Sequence, residues 1–215
     1  MRKGDYQVRI AELSRRSGVS IPSIKYYLRE GLLPPGEPTS RNQALYGEAH
    51  LARLRLIRAL VDVGGLSIAA AREVLSAVDS PGLEQHFLLG VAHRTLHRPV
   101  RRDPTDPTWL AAQDEVIELA RRRGWLIDID SPALADAADA VAALRSLGQD
   151  DLLACLPTYA EAVERIASHE LDVVVARQQP DRMVEGVITG TILGGALVSA
   201  LRRLAQQDAS ARRLG

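Results

Sequence analysis

Lys25, Tyr26 and Arg29 are spaced to share one side of a helix, which would set two cations around a phenol. Such a face suits phosphate contact and the probing of base edges. The same pattern also serves an amphipathic surface helix with a solvated basic side, so the neighbouring stretches decide between the two uses. Ser20 can cap the helix at its start, and Pro22 is tolerated there because it has no N–H to lose. Gly31 supplies a left-handed stop. Ile21, Ile24 and Leu28 fall at helical spacing and predict the buried stripe that turns the basic face outward.

The elements that must position this helix flank it closely. Residues 10 to 17 read as a first short helix with Ile10 and Leu13 inward, and Gly18-Val19-Ser20 is a tight link. Helix, three-residue turn with glycine, helix is a helix-turn-helix pattern. Pro34, Pro35 and Pro38 then exclude a helix, and Ser40 to Gln43 reads as a turn between two short extended pieces. That describes a wing with Arg41 at its tip. A helix over residues 48–63 follows, with Leu54, Ile57 and Val61 as its apolar stripe. Gly64-Gly65 closes it, and Ser67 caps another helix that runs to about Val78.

Charge supports a division of labour. The chain of 215 residues has no net charge, yet residues 1–75 carry 12 Lys/Arg against 7 Asp/Glu, and residues 76–215 carry 15 against 20. A basic front and an acidic back suit one nucleic-acid-binding part and one part with another task. The 46% apolar share provides a core, and only 4% is aromatic, so that core is aliphatic. Cys155 is the one cysteine, which excludes an intramolecular disulfide and a thiolate metal cluster and fits a reducing cytosol. The N-terminus leads into no apolar signal region, and the longest uncharged run, Gly186 to Leu201, is 16 residues. A bilayer-spanning helix needs about 20. The expectation is a cytoplasmic protein with no membrane partner.

The ordered set Ile10-Ala11-Glu12-Leu13, Gly18-Val19-Ser20, Lys25-Tyr26-Tyr27, Glu30-Gly31-Leu32-Leu33 and Leu54-Arg55-Leu56-Ile57 resembles the winged-helix DNA-binding domain of the MerR family of bacterial regulators. It covers residues ~8 to 78. The resemblance implies a homodimer on an inverted repeat in double-stranded promoter DNA, with RNA polymerase as a further partner. It assigns DNA contact to Ser20, Ser23, Lys25, Tyr26, Tyr27 and Arg29, and more loosely to Arg41 and Tyr46 in the wing. Two departures stand out. Lys25 replaces the usual arginine and loses its bidentate geometry. The wing reads Arg41-Asn42-Gln43-Ala44-Leu45-Tyr46 in place of the common Gly-Tyr-Arg-x-Tyr. Tyr27 can serve core packing or direct contact, and Arg55 and Arg58 can touch the DNA backbone or keep their helix solvated.

Behind Val78 the reading is helical throughout: segments at 83–98, 109–123, 132–147, 150–170 interrupted by Pro157, and 181–209. Pro99 to Thr108 reads as a linker. Either 83–98 or 109–123 could form the dimer seam. His86, His93 and His97 lie near one helix face but lack a cysteine, so no metal is expected. Cys155 reads as a small core residue. Gly186, Gly190 and Gly194 keep one helix face bare, which suits close helix packing or, less readily, a ligand wall.

The sequence therefore predicts a mostly α protein: a winged helix-turn-helix domain at 1–80, a connecting helix and proline-rich linker at 81–108, and an all-α effector and dimerisation domain at 109–215. No nucleophile–base pair, phosphate-cradling loop or paired carboxylates appear, so neither an enzyme nor a cofactor is expected. The function expected is sequence-specific transcription regulation by a homodimer that answers to a small organic ligand. The alternative is a nucleoid-associated or structural DNA binder whose back half serves assembly.

Overall fold

The computed structural model describes residues 7–40, 43–80, 90, 94–96, 103, 105–176 and 186–214. The protein is mostly helical, with one two-stranded sheet, and it divides into two compact units, Gln85–Val187 and a unit that joins Met1–Glu84 to Ile188–Gly215.

The front unit follows from local signals. α1 (Ile10–Ser17) buries Leu13 and ends on Gly18, whose φ of 68° needs no Cβ. α2 (Ile21–Arg29) is capped by Ser20 and followed by Gly31 at φ 74°. Its buried residues are Ile24 and Tyr27, while Ile21 and Leu28 are half-buried. The inward face is thus rotated from the expected stripe, because the Tyr27 ring itself fills the core. β1 (Glu37–Ser40) pairs antiparallel with β2 (Gln43–Leu45) as a wing hairpin, irregular in register between Pro38 and Ser40. Val8 bridges Tyr46 and ties the start of the chain to the base of the wing.

α3 (Glu48–Arg58) runs on as a π-helical turn over Ala59–Val63. Leu51, Leu54, Ile57 and Leu60 are buried at successive i+3 positions, and Val61, expected inside, is half-buried. α4 (Ile68–Asp79) starts at Ser67, whose hydroxyl accepts the Ala70 N–H at 3.1 Å.

The back unit contains α5 (Pro107–Arg123), α6 (Pro132–Ser146), α7 (Asp150–Leu153) and α8 (Leu156–Val175). α5 and α6 form the best-packed pair. The Arg145 guanidinium donates to Glu115 at 2.6 Å and the Trp109 indole N–H to Asp139 at 2.7 Å, so polar ties flank their apolar contact. Pro157, expected to interrupt a helix, sits in the first turn of α8, where a missing N–H costs nothing. Cys155 stands in the turn before it and is exposed, not a core residue as its type suggests.

α9 (Gly186–Leu214) is continuous over 29 residues with a π-helical turn at Gly190–Gly194. By length and composition alone it could cross a bilayer, with a mean hydropathy of 1.3 in its most apolar window. Within the front unit, its π turn packs against that of α3. Gly64 permits this approach: a Cβ there would clash with Ile192 Cγ2 and stand 2.7 Å from the Leu60 carbonyl oxygen. The buried residues of α9 are Gly186, Val187, Ile188 and Ile192. Gly190, expected to sit against a neighbouring helix, has nothing within 4 Å of an added Cβ.

Candidate nucleic-acid interface

The outward face of α2 is held by a turn with little freedom. The Gly18 N–H donates to the Ser14 carbonyl at 2.9 Å, and the Ser14 hydroxyl donates to the Val19 carbonyl at 2.6 Å. Ser17 is buried, and its hydroxyl accepts the Val19 N–H at 3.2 Å. From α3, Arg58 reaches back to the Ser17 carbonyl at 3.2 Å and to Asp62 at 3.3 Å. Ser20 then takes the Ser23 N–H at 3.2 Å, and the two hydroxyls lie 2.7 Å apart. The beginning of α2 is thus fixed in angle and rotation before any partner arrives.

On that helix Lys25 is exposed, and its side chain has no hydrogen bond or ion pair to the described residues. The Arg29 guanidinium lies 5.0 Å from the Tyr26 ring centroid and 3.6 Å from the Glu30 carboxylate, with its side chain 70% exposed. Stacking over a ring limits the rotamers of an arginine and keeps its donors pointing outward. Tyr26 is half-buried, with its ring 6.0 Å from that of Tyr27. Ser20 is exposed and Ser23 half-buried. Five of the eight candidate residues, Ser20, Ser23, Lys25, Tyr26 and Arg29, therefore share the accessible part of one short helix.

The other three stand differently. Tyr27 is 8% exposed, and burial raises its phenol above the ordinary range, so its ring serves the core. Tyr46 is 6% exposed and meets His50 edge-on, with ring centroids 5.3 Å apart. Arg41 lies outside the described residues, as do His86, His93 and His97.

Spacing did not mark the residues that hold this surface in place. His50 accepts the Gly47 N–H through Nδ1 at 3.0 Å, and its Nε2 lies 3.3 Å from the Pro35 carbonyl, as a neutral imidazole with the proton on Nε2 requires. Arg53 donates to the Leu32 carbonyl at 2.9 Å and grips Asp79 through two bonds of 2.8 and 2.6 Å. Arg72 donates to the Glu30 carbonyl at 2.8 Å and its carboxylate at 2.7 Å. Arg15 and Arg16 flank Glu12 and lower its carboxyl to about 2. Most of the described arginines of the front are thereby paired with carboxylates within it. Among its described residues, Arg9, Lys25 and Arg55 are the cations with no such partner. Arg9 and Arg55 join Lys25 as phosphate-contact candidates on that ground.

A compact helix-turn-helix with a hairpin wing and an outward cation–phenol face defines a winged helix-turn-helix module. Residues 8–78 match the family described as MerR HTH family regulatory protein. A 50-residue stretch is 40% identical to an HTH-type transcriptional regulator ZntR homolog of Haemophilus influenzae, covering 23% of this chain and 37% of that protein. A 71-residue stretch is 32% identical to a mercuric resistance operon regulatory protein of Bacillus cereus, covering 33% and 53%. A 67-residue stretch is 37% identical to the HTH-type transcriptional regulator HmrR of Sinorhizobium medicae, covering 31% and 45%. The matched stretches span about half or less of these curated relatives.

A crystal structure of a candidate transcriptional regulator of Streptomyces coelicolor A3(2), SCO5550, superposes with a TM-score of 0.70 at 39% identity, covering 96% of this chain and 97% of the other. The chain belongs to the MerR family.

Proposed function

We propose that the protein is a sequence-specific transcription regulator that acts as a homodimer on promoter DNA and answers to a small organic molecule through its back half. The observation that carries this reading is the α2 face, where Lys25 stands unpaired and Arg29 is stacked outward on Tyr26. A helix fixed by Ser20 and Arg58 can enter a major groove without first paying to order itself. The wing then lies along the flanking backbone, with Arg41, between β1 and β2 in the sequence, as its proposed contact. RNA polymerase follows as a further partner from family membership, and the cytoplasm as the place of work. The domain reading stays 1–80 for DNA, 81–108 for connection and 109–215 for effector binding and dimerisation.

One relative is named a mercuric resistance operon regulatory protein and another a heavy metal-dependent transcription regulator, but their matches cover only 33% and 31% of this chain. The chain has one cysteine, too few for a soft thiolate cluster within a protomer. That favours an organic effector over a metal. A second reading, a nucleoid-associated binder, is favoured by the apolar side chains exposed on α9, Leu197, Leu201 and Leu204, which suit assembly.

Fluorescence anisotropy on the DNA upstream of the coding region separates the two. A regulator binds one site far more tightly than shuffled sequence of equal length. Equal affinity for both would favour the assembly reading.

A further inference from the structure

The back unit contains a cavity of about 330 Å³ between α5, α6, α7 and α8. Its walls include Val116 and Leu119 from α5, Ala140 and Leu144 from α6, and Leu156 and Val163 from α8. Protein interiors rarely keep apolar space of this size, because each lining atom then lacks contacts on one side. Leu152, Tyr159 and Val163 also line it and stay 43–46% exposed, so the rim is apolar as well. Among the described residues, no charged residue is in the lining.

The nearby charges are already spent. Glu164 is paired with Arg123 and accepts the Trp125 indole N–H, and both hold its carboxyl below the usual range. Glu115 is paired with Arg145. Trp125, another lining residue, thus turns its polar tip toward Glu164, and the Tyr159 hydroxyl is the other side-chain polar group in the wall. An unpaired carboxylate would draw a lipophilic cation, and a ligand cluster would draw a metal. The lining offers neither.

We propose that this cavity binds an uncharged, largely hydrocarbon ring compound with at most one or two polar atoms. Size follows from volume: an apolar cavity of about 150 Å³ accepts benzene, so twice that accepts two to three rings. The volume also lies within the range of small-molecule sites, at its lower end. This inference rests on the reading of the back half as an effector domain, and it names the class of effector and the place it binds.

The test titrates full-length protein with N-phenyl-1-naphthylamine, a neutral fluorescent probe of two fused rings and one phenyl. Saturable binding, one probe per chain, is expected. Ala140→Phe, which extends a side chain into the cavity, should weaken it about tenfold or more while the melting temperature holds or rises. Ala137→Leu, from the same wall, should do so more mildly and guards against a local misfold of the first variant. Tetraphenylphosphonium should bind more weakly than the neutral probe. Four results would overturn the proposal: no saturable binding, equal binding by Ala140→Phe, tighter binding of the cation, or loss of self-association instead of probe binding in Ala140→Phe. Probe binding that Ala140→Phe abolishes, with no effect on affinity for upstream DNA, would support the cavity as a ligand site. That last result would sink the regulatory reading alone.

Discussion

Lys25 carries the most specific expectation at the scale of single residues. Its ammonium is exposed, has no partner among the described residues and lies on a helix whose start is fixed by four hydrogen bonds. Lys25→Ala should weaken operator binding and reorder preference among operator variants if the side chain reaches a base edge. A uniform loss with a shallower salt dependence would make it a phosphate clamp. Arg58 has a different fate. It supports the turn through the Ser17 carbonyl, so Arg58→Ala should cost about 1 kcal/mol of stability, measurable by urea unfolding.

Glu12 gives the pH expectation. Arg15 and then Arg16 lower its carboxyl from 4.5 to about 2. Its contribution is complete above about pH 4.5 and is lost as pH falls through about 2. The urea midpoints of wild type and Glu12→Gln should therefore differ at pH 7 and converge toward pH 2. A gap independent of pH would assign the effect to helix propensity. Residue types announced the cations of the front domain but not their partners. Arg53 and Asp79 are 26 positions apart, and Arg72 and Glu30 are 42, distances at which no local rule operates.

Among elements, the short ones with strong punctuation were legible. α1, the Gly18 turn, the capped start of α2 and the Ser67 cap each rest on a residue that only one local geometry suits, and β1 and β2 pair as the two extended pieces of the wing. The π-helical turns of α3 and α9 were not legible, since they arise where the two helices meet. Gly190 and Gly195 of α9 face open space, while Gly64, just after the π turn of α3, is crowded by Ile192. Two substitutions test this. Gly64→Ala should destabilise by about 1–3 kcal/mol, because the Leu60 carbonyl cannot retreat from the new methyl. Gly190→Ala meets nothing within 4 Å and should leave stability unchanged or raise it by up to about 1 kcal/mol. A marked loss from Gly190→Ala would mean that another copy of the chain packs on that face.

At the scale of the whole molecule, the family and the mostly α fold could be read from ordered motifs in the first 78 residues, because a helix-turn-helix is specified by local signals. The back half has helices without signature. The segments at 109–123, 132–147, 150–170 and 181–209 fall within about five residues of the helices, and 83–98 lies largely outside the described residues. The cavity between α5, α6, α7 and α8, however, depends on how far α8 stands from Ala137 and Ala140, which no periodicity encodes. Grouping of Ile188–Gly215 with the front unit likewise depends on the fit of Ile192 beside Gly64.

The central claim is that two copies of the α2 face read a defined DNA site, and a footprint of the full-length protein on its own upstream region tests it most directly. A discrete protected window containing an inverted repeat is expected, with half-sites spaced by about one or two helical turns, and it should be lost in Lys25→Ala at the same protein concentration. Even protection along the whole fragment, unchanged by Lys25→Ala, would contradict it.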